Sequence, residues 1–80
     1  MELTVQAFGI ARDILGGKKT VITVKEDATV AELLELLTRN YPAFGKLTSL
    51  AVALNEEYAE KHAVLRPTDT IVLVPPVSGG

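Results

Sequence analysis

The sequence predicts an α+β domain: a mixed sheet with one main helix packed on one face, and an extended C-terminal tail. Three observations carry this expectation. Leu3, Val5 and Ala7 alternate with Thr4 and Gln6, the period of a half-buried strand. Residues 29–40 place apolar side chains with a period of 3.6 behind a capping motif. Two further apolar runs, "LAVALN" and "TIVLV", follow that helix. Strands before and after a lone helix give a sheet with the helix on one side.

The elements follow in order. Leu3 to Phe8 forms the first strand, with Leu3, Val5 and Ala7 on the buried face and Thr4, Gln6 and Phe8 on the other. Ile10, Ile14 and Leu15 mark a short helical turn that Gly16 and Gly17 close. "KKTVITVK" is rich in β-branched residues and reads as a second strand, antiparallel to the first. Thr29 and Glu32 form a capping box: the hydroxyl accepts from the amide three residues on, and the carboxylate reaches back. Val30, Leu33, Leu34 and Leu37 then make one apolar stripe, while Glu32, Glu35 and Arg39 lie elsewhere on the cylinder. Asn40 and Pro42 end the helix. Leu50 to Asn55 is a third strand, "NEE" a turn, and "YAE" around Tyr58 a brief pairing segment. "RPTD" is another turn, and Thr70 to Val74 is the last strand.

This order allows the first and last strands to lie side by side and parallel. The expected architecture is therefore a β-grasp, the ubiquitin-like fold, as a single domain over residues 1–80 with 75–80 as a flexible functional tail. Eighty residues hold one domain at most. With 48% hydrophobic and 22% charged residues the chain has the profile of a folded core, and it has no run of 18 apolar residues to cross a membrane. The N-terminus has neither a basic leader nor a small-residue cleavage site, so the expected location is cytoplasmic. The absence of cysteine excludes disulfides, thiolate metal ligands and a thiol nucleophile. The net charge of −2, with scattered basic residues, argues against a nucleic-acid partner.

"PPVSGG" closes the sequence. A terminal Gly-Gly arises by chance in roughly 0.5% of chains, and its setting adds to the signal. Pro75 and Pro76 have no N–H and cannot continue a ladder, and together they favour a stiff extended spacer. From Pro76 to Gly80 the reach is at most about 16–18 Å. Gly79 and Gly80 lack Cβ atoms, so backbone alone could enter a narrow channel. The reactive group at that tip is the Gly80 carboxylate. It is a poor acyl donor until ATP converts it to an acyl-adenylate, which a sulfur donor turns into a thiocarboxylate and an amine into an amide. His62, the single histidine, reads as a structural or surface residue, and no phosphate loop is present.

The last strand does not alternate. If Ile71 and Leu73 face the helix, Val72 and Val74 face outward, in phase with Phe8 on the neighbouring strand. Phe8 and Val74 then form an apolar patch near the tail, with Tyr58 as a third member, and such a patch marks a partner surface. The competing reading is that the 10–15 turn covers Phe8.

On these features the chain resembles the small subunit of molybdopterin synthase, a ubiquitin-like sulfur carrier. "FGIARDILGG" matches that family's aromatic-small-x-x-Arg-acidic pattern, "TVAELLELL" the start of its helix, and "PPVSGG" its C-terminal signature. The resemblance spans the whole chain. It implies that an E1-like adenylyltransferase activates Gly80 with ATP, and that the resulting thiocarboxylate donates sulfur to cyclic pyranopterin monophosphate in molybdenum cofactor biosynthesis. It implies that Pro75, Pro76, Val77, Ser78 and Gly79 insert into the large subunit, and that Phe8, Tyr58 and Val74 contact it. Val74 stands where some members carry an aromatic residue. The implied assembly is a heterotetramer of two small and two large subunits, with the catalytic side chains on the large subunit and no cofactor or metal bound by this chain. Two alternatives share the activated tail: the sulfur carrier of thiamine thiazole synthesis, which usually lacks the "FGIARDILGG" segment and the double proline, and a ubiquitin-like modifier joined to lysines. A structural domain with an accidental tail is the remaining one.

Overall fold

The first strand of the computed structural model, β1, spans Glu2–Ala7 and pairs antiparallel with β2, Lys19–Thr23. The structure describes residues 1–47 and 49–76. Between the two strands lies α1, Gly9–Leu15, a complete short helix rather than a single turn. Gly16 ends it with φ 82°, and the amides of Gly16 and Gly17 both donate to the Arg12 carbonyl. A side chain at that φ would meet the steric cost of the left-handed region, which is why glycine stands there.

The main helix α2, Val30–Asn40, starts at the predicted cap. The Glu32 amide donates to Thr29 Oγ1 at 3.3 Å, and the Thr29 amide donates to Glu32 Oε1 at 3.1 Å. Two more first-turn amides are taken up by the loop before the last strand: Val30 donates to the Ala63 carbonyl and Ala31 to that of Lys61. The helix therefore begins with its amide groups satisfied and stitched to a distant stretch of chain. Val30, Leu33 and Leu37 are buried as the stripe predicted, and Leu34 lies at its half-buried margin. Tyr41 caps the C-terminus, after which Pro42–Lys46 forms a 3₁₀ helix that the sequence reading did not anticipate. It buries Phe44, whose ring meets Tyr41 edge-to-face at 6.2 Å between centroids.

Glu32 also accepts from Lys25 Nζ at 2.7 Å. The Lys25 hydrogen bond first, and the Thr29 amide second, hold the Glu32 carboxyl below its ordinary range; the same pairing holds the Lys25 ammonium above its own. A carboxyl depressed in the folded chain stabilises it above the unfolded pKa, and that contribution is lost as pH falls through the folded pKa. The raised lysine contributes below its unfolded pKa and loses that contribution as pH rises through the folded one. Both groups are substantially exposed, so the effect is small and screened by salt. Glu32→Gln is accordingly expected to flatten the acid limb of a melting-temperature-against-pH profile; an unchanged limb would show that the pair contributes nothing.

The remaining strands are β3, Ala51–Leu54; β4, Glu57–Tyr58; and β5, Ile71–Val74. Among the described residues they complete a five-stranded sheet in the order β2-β1-β5-β3-β4. β5 lies parallel to β1, with Ala7 opposite Leu73, and antiparallel to β3, with Val52 opposite Leu73. The first and last strands are thus central neighbours, as expected, and the helix stripe faces Leu3, Val5, Val52, Ile71 and Leu73 in one core. Each fully buried leucine there contributes roughly 1.5–3 kcal/mol relative to exposure. The observed mixed sheet, with a helix on one face between the two hairpins, is the β-grasp arrangement.

The β3–β4 hairpin turns on Asn55 and Glu56, with φ 53° and 74°. Two positive φ values in a two-residue loop define a type I′ turn, whose second position favours glycine. Asn55 is held by its neighbours: Nδ2 donates to Asp69 Oδ1, and Oδ1 accepts from the Thr70 amide, both at 3.0 Å. Glu56 is exposed. Glu56→Gly is therefore expected to stabilise the domain by about 0.5–1 kcal/mol, the left-handed penalty less the glycine entropy cost. The melting temperature should rise by roughly 2–8 °C; no rise would mean the turn relaxes without cost.

Candidate functional site: the apolar sheet face beside the tail

β5 is flanked on both sides, so the chain leaves the sheet from its middle. Its last paired residue is Val74, opposite Ala51 of β3. Pro75 and Pro76 follow outside the strand, both half-buried. Pro75 has no N–H to offer the ladder, and the pairing stops where that donor disappears. Its ring lies near the start of α1: a Cβ built on Gly9 would come 3.8 Å from Pro75 Cγ, an ordinary van der Waals distance.

Phe8 stands one residue past the Ala7–Leu73 pair, at the same end of the sheet as Val74. It belongs to the cap of α1 rather than to β1, but its backbone is still extended, with φ −132° and ψ 163°. The side chain is 54% exposed, so the helix that follows does not cover it. The alternation of β5 buries Ile71 and Leu73 and leaves Val72 and Val74 half-buried on the opposite face. Across that face Val72 pairs laterally with Ala53, and Ala53 with Tyr58, which is 74% exposed. Two strand spacings place Tyr58 roughly 9–10 Å from Val72.

The structure thus brings Phe8, Val74 and Pro75 together at one end and sets Tyr58 on the same face, two strands away. Val77, Ser78, Gly79 and Gly80 lie outside the described residues. Ala51 and Ala53 were missed as part of the patch: small side chains at the outward positions of β3 give it a flat apolar floor beside Val72 and Val74. Their signal was available in "LAVALN", where the outward residues are alanines.

Among the described residues no polar or charged side chain is buried, and no three His, Cys, Asp or Glu side chains gather to hold a metal. His62 is exposed and pairs with Glu60 at 2.9 Å. A cleft of about 350 Å³ lies between the end of β2 and α2, lined by Thr23, Lys25, Glu32, Glu35 and Arg39 among others. Its charges pair with one another, Lys25 with Glu32 and Arg39 with Glu35. It lies at the Glu2–Thr23 end of the hairpin, whereas Phe8 lies beyond the Gln6–Lys19 end. The cleft contains none of the predicted site residues. The features of the face by the tail are those of a docking surface, not of a pocket with its own acid or base. No helix among the described residues is long and apolar enough to cross a membrane.

Comparison with known proteins agrees with this picture. The molybdopterin synthase sulfur carrier subunit of Arabidopsis thaliana is 31% identical over 81 residues, covering 100% of this chain and 84% of that protein. One similar structure is the complex of subunits 1 and 2 of the molybdopterin-converting factor from Helicobacter pylori, with a TM-score of 0.67, 28% identity and complete coverage of both chains. SAMP1 of Haloferax volcanii, a small archaeal modifier protein, superposes with a TM-score of 0.81 at 26% identity, again over both whole chains. The sequence pattern of the ThiS family matches residues 5–80, and the chain belongs to that family.

Proposed function

We propose that this chain is the sulfur carrier subunit of a molybdopterin synthase, and that the Gly80 carboxylate is the group it carries into the reaction. The supporting observation is the placement of Phe8, Val74 and Pro75 at one end of an uncovered apolar face: a partner that docks on the face receives the tail beside it. The relatives named as sulfur carrier subunits, and the two-subunit complex among the similar structures, support the same reading.

In this reading an E1-like adenylyltransferase uses ATP. The carboxylate attacks the α-phosphorus, pyrophosphate leaves, and the acyl carbon becomes joined to AMP. A sulfide-level sulfur donor attacks the acyl carbon, AMP leaves, and a thiocarboxylate results. The large subunit binds the apolar face, takes in Pro75 to Gly79, and supplies the catalytic side chains with which the thiocarboxylate sulfur displaces an oxygen from a carbon of cyclic pyranopterin monophosphate. Water cleaves the acyl–sulfur bond and restores the carboxylate. Two small and two large subunits form the working assembly, in the cytoplasm, and this chain binds no cofactor of its own.

Intact mass tests the chemistry. Incubation with the activating enzyme, ATP and a sulfur donor is expected to replace one oxygen by sulfur at the C-terminus. Adding the large subunit and the pterin precursor should then return the original mass. A mass that never changes would overturn the reading. A second reading, a protein modifier, is favoured by the likeness to SAMP1; it predicts lysine adducts of higher mass as the main product instead.

A further inference from the structure

β2 is an outer strand of the sheet and, among the described residues, pairs with β1 alone. The two ends of the hairpin fix the phase of its hydrogen bonds. The Val24 amide donates to the Met1 carbonyl and the Ala7 amide to the Lys18 carbonyl, both at 2.9 Å. Bonded and non-bonded pairs alternate along an antiparallel ladder. Leu3–Ile22 and Val5–Thr20 are therefore bonded pairs, and Glu2–Thr23, Thr4–Val21 and Gln6–Lys19 are not. Lys19, Val21 and Thr23 thus direct their N–H and C=O groups away from β1, to an open edge. Such edges are normally blunted by shortness, proline, a bulge or an inward charge. β4, at the other edge, is two residues long. β2 has five residues, KTVIT, without proline or glycine, and its register runs unbroken. Val21 at its centre is 59% exposed, and the strand's one charge, Lys19, stands at its end.

We propose that β2 is a self-pairing edge: two copies of this chain join antiparallel through it, about a twofold axis at Val21. The residues of the strand suit that register. Val21 meets Val21 of the second copy, and on either side Lys19 meets Thr23 of the second copy. These are the residues whose backbone groups face outward, so the pairs exchange about six hydrogen bonds. Thr23 stands beside Glu2 in its own chain. Lys19 of the second copy then shares a row with Glu2, two strand spacings or roughly 9–10 Å away between backbones, within reach of the two extended side chains. Within one chain Glu2 and Lys19 lie at opposite ends of the hairpin, and among the described residues neither is in an ion pair. The twofold axis stands perpendicular to the sheet, so both α2 helices lie on one side and both apolar faces on the other. Val72, Ala53 and Tyr58 belong to β5, β3 and β4, across β1 from β2, and the pairing leaves them open in both copies. This association does not depend on what the tail carries.

The test is sedimentation equilibrium of the full chain from about 10 µM to about 1 mM, a range that reaches small, transient interfaces. The weight-average mass is expected to climb from monomer toward dimer. Val21→Lys removes the central apolar contact and sets like charges opposite each other, so it should weaken the dimer at least roughly tenfold. The monomer should fold as before, because Val21 lies outside the core. Lys19→Glu should weaken the dimer roughly fivefold, and adding Glu2→Lys should restore it, a rescue that only the row between copies provides. Amide exchange followed by NMR reads the same contact without a variant. The Lys19, Val21 and Thr23 amides should exchange more slowly as concentration rises, while those of Thr20 and Ile22, already bonded to β1, stay constant. A wild type that is monomeric at about 1 mM overturns the proposal, whether or not a strand of another protein uses the edge. A dimer that survives Val21→Lys but dissociates with Phe8→Arg, or exchange that slows outside the alternate set, places the contact elsewhere and overturns it too. A charge swap that rescues nothing overturns the twofold register.

Discussion

In a chain ending at Gly80, deletion of that residue or addition of one residue after it is expected to reduce sulfur transfer by at least roughly 100-fold and leave the unfolding curve unchanged. The expected loss follows from reach. One residue moves the terminal carboxylate by about 3.3–3.6 Å, while a productive encounter needs the reacting atoms held about 3–3.5 Å apart. Val74 is the last paired residue of β5, so the sheet fixes where the tail starts. Deletion leaves the carboxylate short of the reacting centre; extension carries it past and puts a side chain where bare backbone fits. The body is expected to be indifferent to both changes, because among the described residues the last paired one is Val74 and the last fully buried one is Leu73. Single-turnover transfer and thermal unfolding, measured on the same preparations, check both halves. Wild-type transfer by the extended chain would exclude the terminal carboxylate as the carrier group.

Phe8→Arg is expected to weaken binding of the large subunit by about 2–4 kcal/mol, roughly 30- to 700-fold in Kd. Phe8 is large, exposed and next to the point where the tail leaves, the profile of an aromatic anchor. A guanidinium in its place must give up water when a partner covers the face, and that cost falls on the complex alone. The free domain should unfold as before, since Phe8 lies outside the buried core. Tyr58→Ala should cost less, because Tyr58 stands on the two-residue edge strand, away from the tail. Calorimetric titration decides: equal affinity for the wild type and Phe8→Arg would remove this face from the interface.

The parts of the fold that were legible in the sequence are those specified locally. Thr29 and Glu32 announce a helix start within four residues, and the structure shows both of their reciprocal hydrogen bonds. The parallel pairing of β1 with β5 is non-local, but β-branched strands on either side of a lone helix leave few ways to close one sheet. The 3₁₀ helix was illegible because Pro42 was read as a stop; it ends α2, yet its fixed φ also suits the first turn of the new helix. Phe44 was lost with it, an isolated aromatic whose burial comes from packing on α2 rather than from any period. For the site, the phase of Phe8, Val72 and Val74 was readable from alternation alone. The approach of Pro75 to the start of α1 was not, since the two stand near opposite ends of the sequence and no local pattern brings them together.

The strand that carries the tail is made last, yet it fills the gap between β1 and β3. During synthesis the β1–β2 hairpin and α2 emerge with their apolar faces unpaired, and nothing made before residue 71 can close the sheet between them. A chain cut short upstream of β5 therefore lacks the middle of its own core and does not fold. Every molecule with a folded docking face has thus been translated at least through β5. Fragments that stop before β5 have no finished docking face with which to occupy the partner.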